Sequence, residues 1–185
     1  MTDSRQPGST YRSGPPAWLG WLVLAGAVYG LFGGLLRRKI EEVIPGKALP
    51  ELAGTDINDL DGQPLSLAHF KGKVLLVDFW ATWCEPCMGE MPNVIATYNK
   101  YHGQGFEILG VSLDADKARL LAVLKSQKMT WPQYFDGQAW NNRLARQYGI
   151  SFIPNNYLLD ANGRVIGEQL RGEALDQAVA AALKK

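Results

Sequence analysis

The stretch that most constrains this chain is Val74-Leu75-Leu76-Val77-Asp78-Phe79-Trp80, followed four residues on by Cys84-Glu85-Pro86-Cys87. The run is nearly unbroken apolar and β-prone, the pattern of a central strand covered on both faces. Downstream, Met88, Met91, Val94, Ile95, Tyr98 and Tyr101 recur at helical spacing, which predicts a helix over Cys84–Tyr101. Both cysteines therefore fall where a buried strand gives way to a helix. Further along, Phe106–Leu113 reads as a second buried strand. Asp116–Gln127 reads as a helix with Leu120, Leu121, Val123 and Leu124 inward, and Asn141–Tyr148 as a weaker helix. Asn156–Asp160 and Arg164–Leu170 flank Ala161-Asn162-Gly163, a hairpin turn in which Asn-Gly supplies positive φ. Glu173–Leu183 closes the chain as an amphipathic helix, and Leu49–Ile57 with Gln63–Leu67 reads as a short extended pair at the front. Strand–helix–strand alternation followed by a hairpin and a helix predicts an α/β fold with a mixed sheet.

Two cysteines in 185 residues cannot build a disulfide framework, which excludes a stapled mini-protein. Nineteen Lys and Arg against eighteen Asp and Glu leave a formal charge of +1, so nothing points to nucleic acid. That average hides a shift in composition. Residues 1–16 are polar and rich in Gly, Pro, Ser and Thr, a flexible tail. Residues 17–36 carry no charge at all, and as a helix Trp18–Leu36 would span roughly 28 Å, close to the ~30 Å hydrocarbon core of a bilayer. Trp18 and Trp21 stand at one end, and Arg37-Arg38-Lys39 close the other. A cleaved signal peptide would need a shorter apolar region and a small-residue site at its end. The only such pattern, Ala25-Gly26-Ala27, lies mid-segment, so an uncleaved single-pass anchor is expected. Gly26, Gly30 and Gly34 share one helical face and offer a route to helix dimerisation. Positive charges balance across the segment and do not orient it. Residues 37–46 are a linker, and residues 47–185 suffice for one domain with its own core.

Two residues between cysteines on a first helical turn let the sulfurs meet in a small reversible ring, and a helix N-terminus favours the thiolate of Cys84, which is expected to be exposed. Haem attachment would need a histidine where Met88 stands. A zinc site would have to recruit the distant His69 and His102, whose spacing fits no finger. A permanent structural disulfide would close too short a loop to stabilise much. Redox exchange is the reading favoured over these. Trp83 is expected to shield the pair and offer an apolar docking surface. Trp80 is expected in the core; for Trp131 and Trp140, in the extra stretch, core packing is favoured over lining a partner groove.

The segment Val77–Cys87 resembles the active-site strand and turn of the thioredoxin superfamily, as do Pro92 within the helix and Ile153-Pro154 further on. The anchor, the lead-in and the extra helical stretch between Leu113 and Gly149 resemble, more narrowly, the membrane-tethered ResA/TlpA-type thiol-disulfide oxidoreductases, relatives of the cytochrome c maturation thioredoxins. The resemblance implies a thioredoxin-like mixed sheet flanked by helices over residues 47–185, held outside the cytoplasm at the cell membrane (the periplasm, where there is one). It implies a Cys84–Cys87 disulfide, with Cys84 as nucleophile and Cys87 as resolving thiol. It implies a cis-Pro154 beside them, which with Ile153 and Trp83 receives the substrate. No cofactor or metal is implied beyond the cysteine pair. The implied partners are disulfide-containing client proteins and a membrane thiol-disulfide electron donor. Asp78 matches the buried aspartate of cytosolic thioredoxins and Glu90 the glutamate of ResA-type proteins, so the base that deprotonates Cys87 has two candidates. Glu85, with Pro86 between the cysteines, adds negative charge that favours a more reducing pair. A disulfide-forming oxidase on the same frame, and a metal-handling binding module using the cysteines as soft ligands, are the competing functions.

Overall fold

The computed structural model describes Leu49 and residues 57–184. The polar tail, the charge-free segment with its three glycines, the linker and most of Leu49–Ile57 lie outside the described residues. Among the described residues no helix is long and apolar enough to cross a membrane.

The central strand β1 is Val74–Trp80, and all seven of its residues are buried. It is followed by α1 (Glu85–Tyr101), β2 (Phe106–Ser112), α2 (Lys117–Gln127) and β3 (Gln133–Phe135). Then come α3 (Arg143–Gln147), β4 (Asn155–Leu159), β5 (Val165–Glu168) and α4 (Gly172–Leu183). The sheet runs β3-β2-β1-β4-β5, with β1, β2 and β3 parallel and β4 and β5 antiparallel to their neighbours. This is the mixed α/β sheet expected, and β1 and most of β2 read as hydrophobic runs, as strands buried on both faces do. On one face α1 packs against α4. On the other, Phe79 meets Tyr148 and Tyr157 edge-on, with ring centroids 6.0 and 6.3 Å apart.

Three details differ from the expectations. Gln63–Leu67 forms no strand: Asn58 and Pro64 make one isolated bridge, and a 3-10 turn follows at Leu67–Phe70. In α2 only Leu120 is buried, whereas Leu121 is 46% exposed, because adjacent helical residues point about 100° apart. The edge strand β3 was not expected at all. It is short, but it brings Gln133 over the sheet.

Register puts Asn156, Asp78, Gly110 and Gln133 in one row across β4, β1, β2 and β3. Gly110 has no side chain, and the Gln133 amide lies in the space a Cβ would fill. There Gln133 Oε1 accepts from Trp80 Nε1 at 3.1 Å. Gly110→Ala must push that amide away and strand a buried indole N–H, at a cost of about 1–3 kcal/mol. In a Gln133→Ala background the same substitution should cost markedly less, a coupling that a double-mutant cycle from urea unfolding measures.

Candidate active site

The cysteines sit where β1 hands over to α1. Leu113 N–H donates to Trp80 O at 2.8 Å, which fixes the end of β1, and Ala81-Thr82-Trp83 then bridge to Cys84. Cys84 is the N-cap of α1, with Glu85 at the first helical position and Pro86 next, where a missing N–H costs nothing. Cys84 and Cys87 are joined by a disulfide with Cα atoms 5.2 Å apart, and Cys84 Sγ accepts from Cys87 N–H at 3.2 Å. A sulfur that receives a helix N-terminal amide is one whose thiolate that amide stabilises once the bond is reduced. Neither cysteine is open to solvent: Cys84 is 5% and Cys87 2% exposed. The expectation of an exposed Cys84 is thereby corrected: its sulfur is bonded to Cys87 and receives that residue's amide. Glu85 and Pro86 are exposed.

The Ile153–Pro154 peptide is cis. Since Asn155 pairs with Phe79, Pro154 lies alongside the end of β1, next to the disulfide loop. Pro154 is buried and Ile153 half-buried. The Pro154 carbonyl accepts from Arg171 Nη2 at 2.7 Å, and the residue after Arg171 begins α4.

Two residues before the end of β1, Asp78 is turned into the core, 5% exposed. Burial lifts its carboxyl from an ordinary 3.8 to about 7, with the Glu90 carboxylate adding to the rise and the Arg171 guanidinium opposing it. Glu90 is placed differently. Its Oε1 accepts from Gly172 N–H at 2.5 Å, capping α4, and its Oε2 accepts from Asn93 Nδ2 at 3.1 Å. Both Glu90 oxygens therefore already have protein donors, while Asp78 is governed by burial.

Besides Arg171, a further residue of the site was not anticipated. Asp114, just past β2 and 1% exposed, accepts from Thr82 N–H at 3.0 and 3.2 Å, Thr82 Oγ1 at 2.6 Å and Ser112 Oγ at 2.8 Å. It pins the loop carrying Trp83 and Cys84 to the neighbouring strand. Two tryptophans separate as well. Trp131 is in the core at 4% exposed, but Trp140, expected there too, is 45% exposed. It lies against Trp83, itself 43% exposed, with ring centroids 6.0 Å apart. His69 and His102 are on the surface, with His102 Nδ1 3.5 Å from Glu107 Oε1. Among the described residues no group of three His, Cys, Asp or Glu side chains could hold a metal.

A disulfide at the N-terminus of a helix, a cis-proline beside it and a central parallel pair of strands define the thioredoxin-like class of thiol-disulfide oxidoreductases. The comparisons with known proteins agree. A redoxin family profile matches residues 44–183. Thiol-disulfide oxidoreductase ResA of Bacillus cereus is 32% identical over 89% of this chain and 91% of its own length. The solved thioredoxin domain of a thiol-disulfide oxidoreductase from Bacteroides vulgatus superposes with a TM-score of 0.67. It is 32% identical, over 76% of this chain and 98% of that one. A thiol:disulfide interchange protein from Bacteroides sp. gives 0.66 at 31% identity, over 77% and 92% of the two chains. This chain belongs to the redoxin family and is a ResA-like thiol-disulfide oxidoreductase.

Proposed function

We propose that the protein reduces disulfides of extracytoplasmic proteins from a membrane tether, with Cys84 as the attacking sulfur, Cys87 as the resolving thiol and Asp78 as the base. The observation that carries this reading is the buried, strongly raised carboxyl of Asp78 on the strand that leads into the disulfide, whose Cys87 is itself buried. In the reduced enzyme the Cys84 thiolate, its own proton given up to solvent, attacks a client disulfide. A Cys84–client bond forms, and one client sulfur is expelled as a thiolate that takes a proton back from solvent. Asp78 accepts the Cys87 proton, and the resulting thiolate attacks Cys84 Sγ. The second client sulfur leaves with that proton. Two electrons and two protons have passed to the client, and the Cys84–Cys87 disulfide remains.

Glu90, with both oxygens bonded, positions α4 and adds to the field on Asp78 instead of carrying the proton. Ile153 and Pro154 present a backbone edge beside the disulfide on which an extended client segment can pair. Glu85 at the first helical position disfavours the Cys84 thiolate, which makes the disulfide harder to reduce and the dithiol a better reductant. No cofactor beyond the cysteine pair takes part. The charge-free residues 17–36 supply the tether, and Gly26, Gly30 and Gly34 its dimerisation face. Outside the cytoplasm no thiol pool is available, so a membrane dithiol carrier restores the reduced form. Cytochrome c maturation, which needs haem-binding cysteines kept reduced, is the setting that fits a tethered reductant.

The test is capture. Cys87→Ala in the full-length chain should accumulate client proteins bound through Cys84, all lost on adding Cys84→Ala. No captured client would overturn the reading, and a midpoint potential more oxidising than about −200 mV would reverse the direction of exchange.

A further inference from the structure

Five large apolar side chains are exposed among the described residues, and three of them, Trp83, Trp140 and Phe152, belong to segments around the disulfide. Trp83 directly precedes Cys84, and Phe152 stands two residues before Pro154. Trp140 comes from the stretch between β3 and α3, where the fold spends many bonds on holding it. Asp136 accepts from Gln138 N–H at 3.0 Å, Arg143 N–H at 2.8 Å and Asn142 Nδ2 at 3.2 Å. Asn142, fully buried, also donates to Ser112 O at 3.2 Å, tying the turn to the end of β2. Ala139, just before Trp140, takes φ +48°, a left-handed conformation that disfavours a side chain. A turn anchored this firmly leaves its tryptophan 45% exposed, although burying that ring further would have been favourable. The indole of Trp83 is oriented too, donating to Leu113 O at 3.3 Å.

We propose that Trp140 joins Trp83 in an aromatic platform that receives an apolar side chain next to the reactive cysteine of a client protein. The platform selects among disulfides by what flanks them. The occupant follows from continuity with the catalytic pair. A client sulfur reaching Cys84 must bring its neighbouring residues over Trp83, and the Trp83 ring continues into Trp140. Two indoles offer a broad apolar surface, so an aliphatic or aromatic flank gains there and a polar one does not. Had Trp140 served only to shield the disulfide, its loss would affect every disulfide alike. The inference rests on Cys84 as the sulfur that the client reaches.

The experiment compares the full-length reduced protein with its Trp140→Ala and Trp140→Phe variants on three probes. Two are disulfide-linked peptides, identical except for leucine or serine on both sides of the cysteine, and the third is hydroxyethyl disulfide. The unsubstituted protein should prefer the leucine peptide by about tenfold in kcat/KM, expressed in KM. Trp140→Ala should bring the two peptides to near parity, Trp140→Phe should keep most of the preference, and hydroxyethyl disulfide should not distinguish the three proteins. No preference in the unsubstituted protein, or a preference that survives Trp140→Ala, overturns the proposal. So does an equal slowing on all three probes, which would mark a structural role. A Cys84→Ser variant that still exchanges would instead overturn the assignment of Cys84.

Discussion

Asp78→Asn is expected to slow release of a client from the Cys84 mixed disulfide on the order of 100-fold at neutral pH, while making the protein more stable. In the unsubstituted enzyme release should accelerate as pH rises through about 7, where the buried carboxyl ionises and becomes able to accept the Cys87 proton. The asparagine variant should lose that inflection. The stability effect has a definite sign. The folded-state value of about 7 lies above the ordinary 3.8, so the folded protein binds the proton more tightly than the unfolded chain does. The resulting stability is fully present below 3.8, declines as pH rises through about 7, and is gone above it. Asparagine has no charge to bury. The variant should therefore exceed the unsubstituted protein in unfolding free energy by a few kcal/mol above pH 7, and the gap should close in acid. Urea unfolding on both sides of pH 7, with rapid-quench release assays over the same range, measures both effects. A variant that is slower and yet more stable cannot owe its slowness to misfolding. An unchanged release profile would remove Asp78 from the mechanism and return the proton to Glu90 or water.

How much of this was legible in the sequence depended on how local each signal is. The run Val74–Trp80 and the helical spacing from Met88 to Tyr101 are statements about neighbours along the chain, and both elements lie where those patterns put them. Gln133-Tyr134-Phe135 is too short to show a period, so β3 escaped, and with it the amide over Gly110. Trp140 looked like core because large aromatics usually are. Its exposure depends on a turn assembled by Asp136 and Asn142, contacts that no spacing rule encodes. In sequence Asp78 stands out as a carboxylate inside an apolar run and Glu90 as one near a helix start, and each matches a family carboxylate, so the base kept two candidates. Only the fold shows that a helix start claims Glu90 while nothing comparable claims Asp78. Asp114 was invisible for a similar reason. After an apolar strand and two residues before a helix cap, it reads as one more loop aspartate.

Asp114→Ala is expected to act in the opposite sense, destabilising the fold by about 3–5 kcal/mol. The carboxylate accepts from the Thr82 amide, the Thr82 hydroxyl and the Ser112 hydroxyl, all buried, and alanine leaves those donors without an acceptor. Asparagine should cost less, since its oxygen can still receive the Thr82 amide and the hydroxyls can turn to accept from its nitrogen. Because Thr82 leads directly into Trp83 and Cys84, the alanine variant should also slow exchange with small and peptide disulfides by a similar factor, unlike Trp140→Ala. Urea unfolding of the two variants, with exchange rates on hydroxyethyl disulfide and a peptide disulfide, separates these outcomes. An alanine variant as stable as the unsubstituted protein would mean that the loop is held by its backbone alone. The two buried aspartates lie near the same end of adjacent strands, and burial alone would assign both the same penalty. What differs is the set of partners. Donors surround Asp114, so its charge is part of the frame; Asp78 is left to desolvation and a neighbouring carboxylate, so its charge is a cost the frame sustains, and a proton taken from Cys87 relieves it.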